Sequence, residues 1–449
     1  MWSQLSTNNA HVSYACIGFG LIIIVSLALF LKHRYDFSEV ILATVFGLIV
    51  GPHCIGWFEP REWVDDEYSL TLELARIVMN IQIFSASAEL PAKYVWNHKM
   101  SLFMVLIPVM IVGFLLNSVF IWGLLPQLRW VEALVIAGCV TATDPVLASA
   151  VLSGPGFAKS LPSHLVHILS AESASNDGMA LPFVLLPVYV LLHEHHAGEI
   201  AKDFIALTVL YQVCFALVLG ALIGLISCFL FQHISKQHEF KEEFMLVYNV
   251  VIALFCAGVG SLLGCDDFLV SFAAGAGFAW NGWAHSCVKE LDITGFLDLL
   301  VNTAFFIYFG AVIPWERFNS SDIAVWRLIV IIILILVGRR LPCIALLKPL
   351  IPDIKNWKEV LIAGHFGPIG VAAIYMVLEA RELLEVGNVE KYGYLLRNMW
   401  PIVCFVVLCS ILVHGTSVIV MNLLSGKLIP INNRKVSGES SKTQIENIA

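Results

Sequence analysis

The chain has 449 residues, of which 59% are hydrophobic and only 13% are charged. This composition, with a mean hydropathy of +0.83, excludes the soluble globular classes and indicates a polytopic membrane protein. The formal net charge of −8 comes without a basic stripe of interleaved aromatic residues, so nucleic acid is not an expected partner.

Runs of about twenty apolar residues between polar breaks predict transmembrane helices. The sequence contains thirteen such runs, which predict an all-α polytopic membrane protein embedded in the lipid bilayer. The predicted spans lie near residues 12–31, 39–57, 70–90, 101–123, 131–153, 163–192, 203–230, 244–263, 266–283, 296–313, 325–347, 357–379 and 398–423.

The distribution of Lys and Arg between loops predicts the orientation of the chain. With the N-terminus outside, the cytoplasmic segments carry fifteen Lys and Arg and the opposite side carries eight. We therefore expect residues 1–11 outside, a transmembrane domain over 12–423, and a short disordered cytoplasmic tail over 424–449.

In span 3, Glu73 and Arg76 are three residues apart, and their spacing predicts an ion pair along one helix.

Span 5 contains the sequence Thr-Ala-Thr-Asp-Pro at 141–145. Pro145 has no N–H for the carbonyl of Thr141 and biases Asp144 away from helical geometry, so we expect this helix to break at its acid. Unwound backbone at membrane depth is tolerated only where it is buried in protein or lines a wet cavity. Freed carbonyls beside a carboxylate make a site for a hard cation.

Span 6 contains a polar strip in an otherwise apolar run. Ser173 and Asp177 are four residues apart on one helix face, and Glu172 and Asn176 occupy the adjacent ladder. A charge at the centre of a membrane helix costs about 2.5–3.5 kcal/mol, so these acids require a function. The first hypothesis is a transporter that binds a small monovalent cation, or protons, at Asp144 and Asp177.

Two further groups of charges lie near the ends of spans. Asp266 and Asp267, between spans 8 and 9, either cap the following helix or form a second acidic pair in the ion path. Arg339 and Arg340 lie inside span 11, where a buried guanidinium needs a carboxylate or several carbonyls. We expect one of them to pair with Glu172; the alternative is that both extend to the membrane interface.

Span 12 contains Gly-His-Phe-Gly-Pro-Ile-Gly at 364–370, where Pro368 and three glycines predict a second helix break. Beside it, His365 either senses protons or serves as a structural hydrogen-bond donor. Spans 5 and 12 are seven apart, so they run in opposite directions, as inverted repeats of spans 1–6 and 8–13 with crossed broken helices would produce. The alternative is two ordinary proline kinks.

The motifs at 141–145, 171–178 and 365–370 resemble those of the fungal plasma-membrane alkali-cation/proton antiporters, a branch of the monovalent cation/proton antiporter superfamily. The segments 338–342 and 348–355 fit the same branch, and the likeness extends from about Gly47 to Gly415.

The resemblance implies an antiporter, not an enzyme, that exchanges cytosolic Na⁺ and Li⁺ for external H⁺ and needs no cofactor. K⁺ stays open as a third substrate. Asp177 would be the central ion- and proton-exchanging carboxylate. Asp144 would be a second ligand of Na⁺ or Li⁺ or a proton carrier, with Ser173 and the backbone of Thr143 completing the cation shell. The pair Asn176-Asp177 resembles the branch that exchanges one proton per cation.

The resemblance also implies a homodimer with a dimerising scaffold of spans 1–3 and 7–10. A mobile core of spans 4–6 and 11–13 would carry the ion across the membrane in an elevator-like movement. The resulting exchange of cations for protons would confer salt tolerance and cation and pH homeostasis.

Two other classes of protein also place acids at membrane depth. A cation channel or uniporter would line a continuous pore with them, without obligatory proton exchange. An intramembrane aspartyl protease needs a Tyr-Asp and Gly-x-Gly-Asp pair at membrane depth, and this pair is absent: Asp144 follows Thr143, and Gly264-Cys265-Asp266 does not match the second motif.

Overall fold

A computed structural model describes residues 8–35, 38–144, 161–194, 196–235, 243–283, 295, 298–387 and 390–424. In these ranges the regular secondary structure is entirely helical, which confirms the predicted fold class. Pro145 and all but the first residue of the predicted tail lie outside the described residues.

The principal helices of the described ranges are numbered here in chain order. They are α1 (Asn9–Tyr35), α2 (Glu39–Val50), α3 (Glu67–Ala88), α4 (Lys99–Leu124), α5 (Trp130–Cys139), α6 (Ser163–Leu192), α7 (Ala197–Ser235), α8 (Glu243–Leu263), α9 (Asp267–Phe278), α10 (Thr303–Val312), α11 (Val325–Gly338), α12 (Leu341–Leu347), α13 (Trp357–His365), α14 (Val371–Gly387) and α15 (Gly393–Leu424). Wider π-helical turns occur at Val105–Val109 in α4, around Pro108, at Asp203–Phe215 in α7, and at Asp298–Asn302 before α10.

A helix, or a pair of consecutive helices, occupies each of the thirteen predicted span positions. Seven helices in the described part of the chain are long and apolar enough to cross a bilayer by themselves. The number of crossings therefore stays a prediction, as do the inverted repeats.

Local side-chain chemistry sets several helix starts. Asp66 and Asn356 accept hydrogen bonds from backbone N–H groups in the first turns of α3 and α13, each at 3.0 Å. Asp266 does the same for α9 through the N–H of Leu269, at 3.0 Å. Such caps satisfy donors that a helix leaves unpaired at its N-terminus.

The helices of the two predicted breaks are too short to cross a bilayer. α5 has 10 residues and α13 has 9, whereas a membrane helix needs about 20. α5 ends at Cys139, before Asp144, and α13 ends at His365, before an irregular segment up to Gly370. Backbone polar groups therefore face the protein interior at both places.

Helix packing brings the acids of distant spans together. α3 packs against α8, α9 and α14, and α6 packs against α3 and α9. At Gly178 a Cβ atom would lie 2.5 Å from the side chain of Leu269 and 3.0 Å from its backbone nitrogen, so α6 approaches the start of α9 closely. This contact places Asp177 beside the N-terminus of α9.

Candidate functional site

The two irregular segments, 140–144 and 366–370, contact each other through Asp144. Its backbone N–H donates to the carbonyl of Pro368 at 2.8 Å, and its carboxylate oxygen Oδ2 accepts from the backbone N–H of Val371 at 2.5 Å. Val371 is the first residue of α14, so the acid lies at a helix N-terminus, where the dipole stabilises negative charge. The broken ends of spans 5 and 12 thus meet at Asp144.

Gly370 makes this approach possible. A Cβ atom at this position would lie 2.1 Å from Oδ2 of Asp144, closer than any side chain could be accommodated without movement. The third glycine of the 364–370 motif therefore serves the contact between the two segments.

Arg339 binds both irregular segments. Its Nη1 donates to the carbonyls of Val140 at 2.7 Å and Ala142 at 3.1 Å, and its Nη2 donates to the carbonyl of Gly367. The guanidinium is buried and satisfies carbonyls that the two broken helices leave free.

Arg340 makes the ion pair with Glu172. Both guanidinium nitrogens Nη1 and Nη2 contact the two carboxylate oxygens, the second at 2.5 Å, and Nε donates to the carbonyl of Ala363 at 2.6 Å. Both side chains of this pair are buried, as is that of Arg339. Neither arginine therefore extends to the membrane interface. This bidentate pair ties α6 to the residues between α11 and α12 and to α13.

Asp177 differs from the other acids of the site. Its side chain is fully buried, and neither carboxylate oxygen has a hydrogen-bond partner within the described residues. The carboxyls close enough for a charge interaction are those of Asp144 and Asp266. A buried carboxylate in such surroundings needs a proton or a cation to balance its charge.

The neighbours of Asp177 on α6 have assigned contacts. The amide of Asn176 binds Thr143, accepting from its backbone N–H at 3.2 Å and donating to its hydroxyl. The hydroxyl of Ser173 donates to the carbonyl of Ser170 at 3.2 Å. Asn176 therefore fixes the segment before Asp144, whereas the hydroxyl of Ser173 bonds to its own helix.

Asp266 and Asp267 are buried beside this site. Asp266 caps α9, and its second oxygen Oδ2 has no hydrogen-bond partner in the described part of the chain. Asp267 accepts from the amide of Asn80 at 2.8 Å, and Ser271 donates to the oxygen of that amide at 2.5 Å. Asp266 therefore fits the capping alternative, and its carboxyl is also close enough to Asp177 for a charge interaction.

His365 lies at the end of α13 rather than among the acids. Its carbonyl lies 3.1 Å from Nε2 of His414 on α15, and the two rings are 5.3 Å apart. Nearby, Ser410 accepts from the backbone N–H of Ile369 at 2.7 Å. Ser410 and His414 thus hold the second irregular segment; their four-residue spacing within an apolar span is the sequence signal that could have identified them.

The expected Glu73–Arg76 contact is present at 2.5 Å, but Arg76 has further partners that the sequence did not indicate. Its guanidinium also lies near Asp267, Tyr375 and Glu379. Only the packing of α3 against α9 and α14 brings these groups together.

Comparison with known proteins gives one family. A profile described as "Sodium/hydrogen exchanger, transmembrane" matches residues 21–422.

Several curated fungal proteins are similar over nearly the whole chain. The "Na(+)/H(+) antiporter" of Saccharomyces cerevisiae is 45% identical over 94% of this chain and 44% of its own length. The "Na(+)/H(+) antiporter 2" of Zygosaccharomyces rouxii is 42% identical over 94% of this chain and 54% of its own. The chain thus spans about half the length of these relatives. The "Na(+)/H(+) antiporter" of Schizosaccharomyces pombe is 37% identical over 99% of this chain and 97% of its own.

Among solved structures, the sodium proton antiporter MjNhaP1 from Methanocaldococcus jannaschii superposes with a TM-score of 0.65. The match covers 94% of this chain and 98% of that one, at 15% identity. At this identity the likeness concerns the fold.

Proposed function

The chain belongs to the sodium/hydrogen exchanger family, and on that premise we propose that it is a secondary active antiporter that exchanges cytosolic Na⁺ for external H⁺ across a membrane. Cation and proton compete for Asp177, with Asp144 as the second acid of the site. We propose the plasma membrane as the location, which is what the resemblance of the motifs to the fungal plasma-membrane antiporters implies. The fungal relatives, which are named as antiporters, give no support to the channel or protease alternatives.

The observation that carries this proposal is the state of Asp177. Its two oxygens are buried without a donor in the described structure, and its charged neighbours are acids. An ionised carboxylate cannot remain there uncompensated, because desolvation of a lone charge is costly. A proton or a small hard cation removes that cost, and each excludes the other.

Alternating access turns this competition into exchange. A core loaded with either ion is nearly neutral at Asp177 and can move relative to the scaffold, whereas an empty core carries a buried charge and cannot. An inward proton gradient then expels the cation. The elevator-like movement, the scaffold and core assignment, and the homodimer belong to the same proposal.

The test uses purified protein in liposomes with an imposed pH gradient and an internal pH dye. Addition of Na⁺ should dissipate the gradient, and Asp177→Asn should abolish the response because asparagine cannot exchange a proton. Li⁺ and K⁺ added in turn rank the substrates. Hard oxygen ligands suit all three ions, and we propose Li⁺ as a second substrate.

Asp65→Asn is the matched control, since Asp65 is an exposed aspartate outside the helices. It should exchange at the rate of the unaltered protein. Full exchange by Asp177→Asn, or no response to any cation from folded unaltered protein, would overturn the proposal.

A further inference from the structure

A column of mostly polar side chains lies between the acid site and a cavity on the face predicted to be extracellular. The cavity has a volume of about 740 Å³ and is lined by Glu67, Tyr68, Arg381 and Glu385, among others. Arg381 lies over the ring of Tyr68, 4.1 Å from its centroid. Tyr68 is in the first turn of α3, and Arg381 is in the C-terminal half of α14.

Two helix faces form the column below this cavity. On α3, Tyr68, Leu72, Arg76 and Asn80 lie on one face, because four-residue steps keep helical side chains aligned, and Leu72 is the apolar member of this series. On α14, Tyr375 and Glu379 follow Val371 at the same spacing. Since Val371 binds Asp144, the α14 face leads from the acid site toward the cavity.

Arg76 occupies the middle of this column. Its Nη2 donates to the hydroxyl of Tyr375 at 3.3 Å and lies 3.8 Å from Glu379, and its Nε lies 3.7 Å from Asp267. Its Nη1 donates to Glu73 at 2.5 Å. The Arg76 side chain is 19% exposed, so the charge is largely withdrawn from water.

The partners of Arg76 belong to two different parts of the proposed transporter. Glu73 and Asp267 lie on α3 and α9, in the proposed scaffold, whereas Tyr375 and Glu379 lie on α14, in the proposed core. Movement of the core relative to the scaffold would keep the first pair of contacts and break the second.

We infer that Arg76 is a gate residue that closes the outward half of the ion path by bonding the scaffold to Tyr375 and Glu379 of the core. The positively charged guanidinium is surrounded by the carboxylates of Glu73, Asp267 and Glu379. A transported cation moving from the cavity to Asp177 would otherwise contact these carboxylates. Release of Tyr375 and Glu379 opens this route. The inference rests on the proposed function for the identity of the moving parts.

Cys256 on α8 is a native reporter for this gate. The residue is fully buried, and its thiol lies beside Ser271 and Asp267, deeper than Arg76 when approached from the cavity. A membrane-impermeant, positively charged methanethiosulfonate added outside intact cells can reach it through the column only if the gate is open. Peptide mass spectrometry then measures the labelling of Cys256 separately from that of the other cysteines.

Arg76→Gln should raise the rate of labelling at Cys256 about tenfold, since hydrogen bonds to a charged group are strong enough to shift a two-state population by that amount. Glu379→Gln should change the rate in the same direction but less, because Tyr375 still binds Arg76. Glu379→Gln also keeps the test decisive if Arg76→Gln folds poorly.

Glu73→Gln is the matched control. Glu73 contacts Arg76 as closely as any partner but lies on the same helix, so its loss should leave the labelling rate unchanged. Labelling that is equal in all variants, or already fast in the unaltered protein, would overturn the inference, as would an equal effect of Glu73→Gln. Labelling of Cys256 requires no transport. A failure of the exchange assay would therefore contradict the proposed function without deciding whether Arg76 closes the path.

Discussion

Asp144 and Asp177 carry the same functional group in different surroundings. Asp144 accepts the N–H of Val371 at the start of α14, which stabilises its negative charge, while Asp177 has no donor among the described residues. The two acids therefore suit different roles in the proposed mechanism. Asp144 is preorganised as a charged ligand, and Asp177 is the group whose charge must be balanced by whichever ion is bound.

Gly370→Ala tests how closely Asp144 must be held. The added Cβ would lie 2.1 Å from Oδ2, so the carboxylate or the backbone must move. Overpacking costs about 1–3 kcal/mol, and a loss of about 1.4 kcal/mol in ion binding would weaken the apparent affinity for Na⁺ about tenfold. The half-saturating Na⁺ concentration in the liposome assay measures this effect.

Gly18→Ala is the control for this substitution, because a Cβ at Gly18 on α1 would meet nothing within 4 Å. Its affinity should equal that of the unaltered protein. Unchanged affinity in Gly370→Ala would show that the Asp144 carboxylate does not require its present position.

At the scale of elements, the two neighbouring arginines have separate tasks. Arg339 binds the free carbonyls of both broken helices, and Arg340 pairs with Glu172 on α6. The guanidinium is planar and carries five N–H donors. This geometry lets Arg339 bind several backbone carbonyls at once, and it lets Arg340 bind both oxygens of one carboxylate. Together they fix α5, α6 and α13 around the acid site.

Glu172→Gln should chiefly destabilise the fold. Removal of one partner leaves a buried guanidinium uncompensated, which costs about 3–5 kcal/mol. We expect a lower melting temperature in a thermal unfolding assay of detergent-solubilised protein, and less protein at the membrane. The double variant Glu172→Gln with Arg340→Gln should recover part of the loss, because no buried charge remains unpaired. Normal stability with no transport would instead place Glu172 in the ion site.

At the scale of the whole molecule, an ion-pair network joins three connections on the face predicted to be extracellular. Glu194, after α6, contacts Arg129, before α5, at 3.2 Å and Lys391, before α15, at 2.8 Å. The hydrogen bonds and charges of Lys391 and Arg129 hold the pKa of the Glu194 carboxyl below its usual range. These connections link helices that the proposed core would move as one unit.

Glu194→Gln should lower the melting temperature slightly, in a pH-dependent manner. Because the pKa of Glu194 is depressed in the folded protein, its contribution is present above the unfolded pKa and is lost as the pH falls through the folded pKa. The difference from the unaltered protein should therefore be measurable at pH 7 and vanish once the pH has fallen below the depressed pKa of Glu194. Glu316→Gln, an exposed glutamate in another connection, is the control. A difference that persists in acid would contradict the ion-pair origin.

The sequence by itself determined the positions of the helices and the two breaks. Apolar run length and proline act locally, so spans such as 163–192 and the irregular segments at Asp144 and Pro368 could be predicted from neighbouring residues. The motifs of the acid site concentrate polar groups where a membrane helix otherwise excludes them, which indicated a functional site. The family followed from the resemblance of these motifs to those of the fungal antiporters.

Only the tertiary structure decided which distant groups meet. Glu172 contacts Arg340 across 168 positions, and Asp144 contacts Val371 across 227. Arg76 reaches Tyr375 across 299 positions. Periodicity assigns a side chain to a helix face but not to the neighbour that covers that face. Helix packing decides that Arg340 rather than Arg339 pairs with Glu172, that Arg339 binds the free carbonyls, and which groups surround Arg76. Each of these depends on contacts that no local pattern encodes.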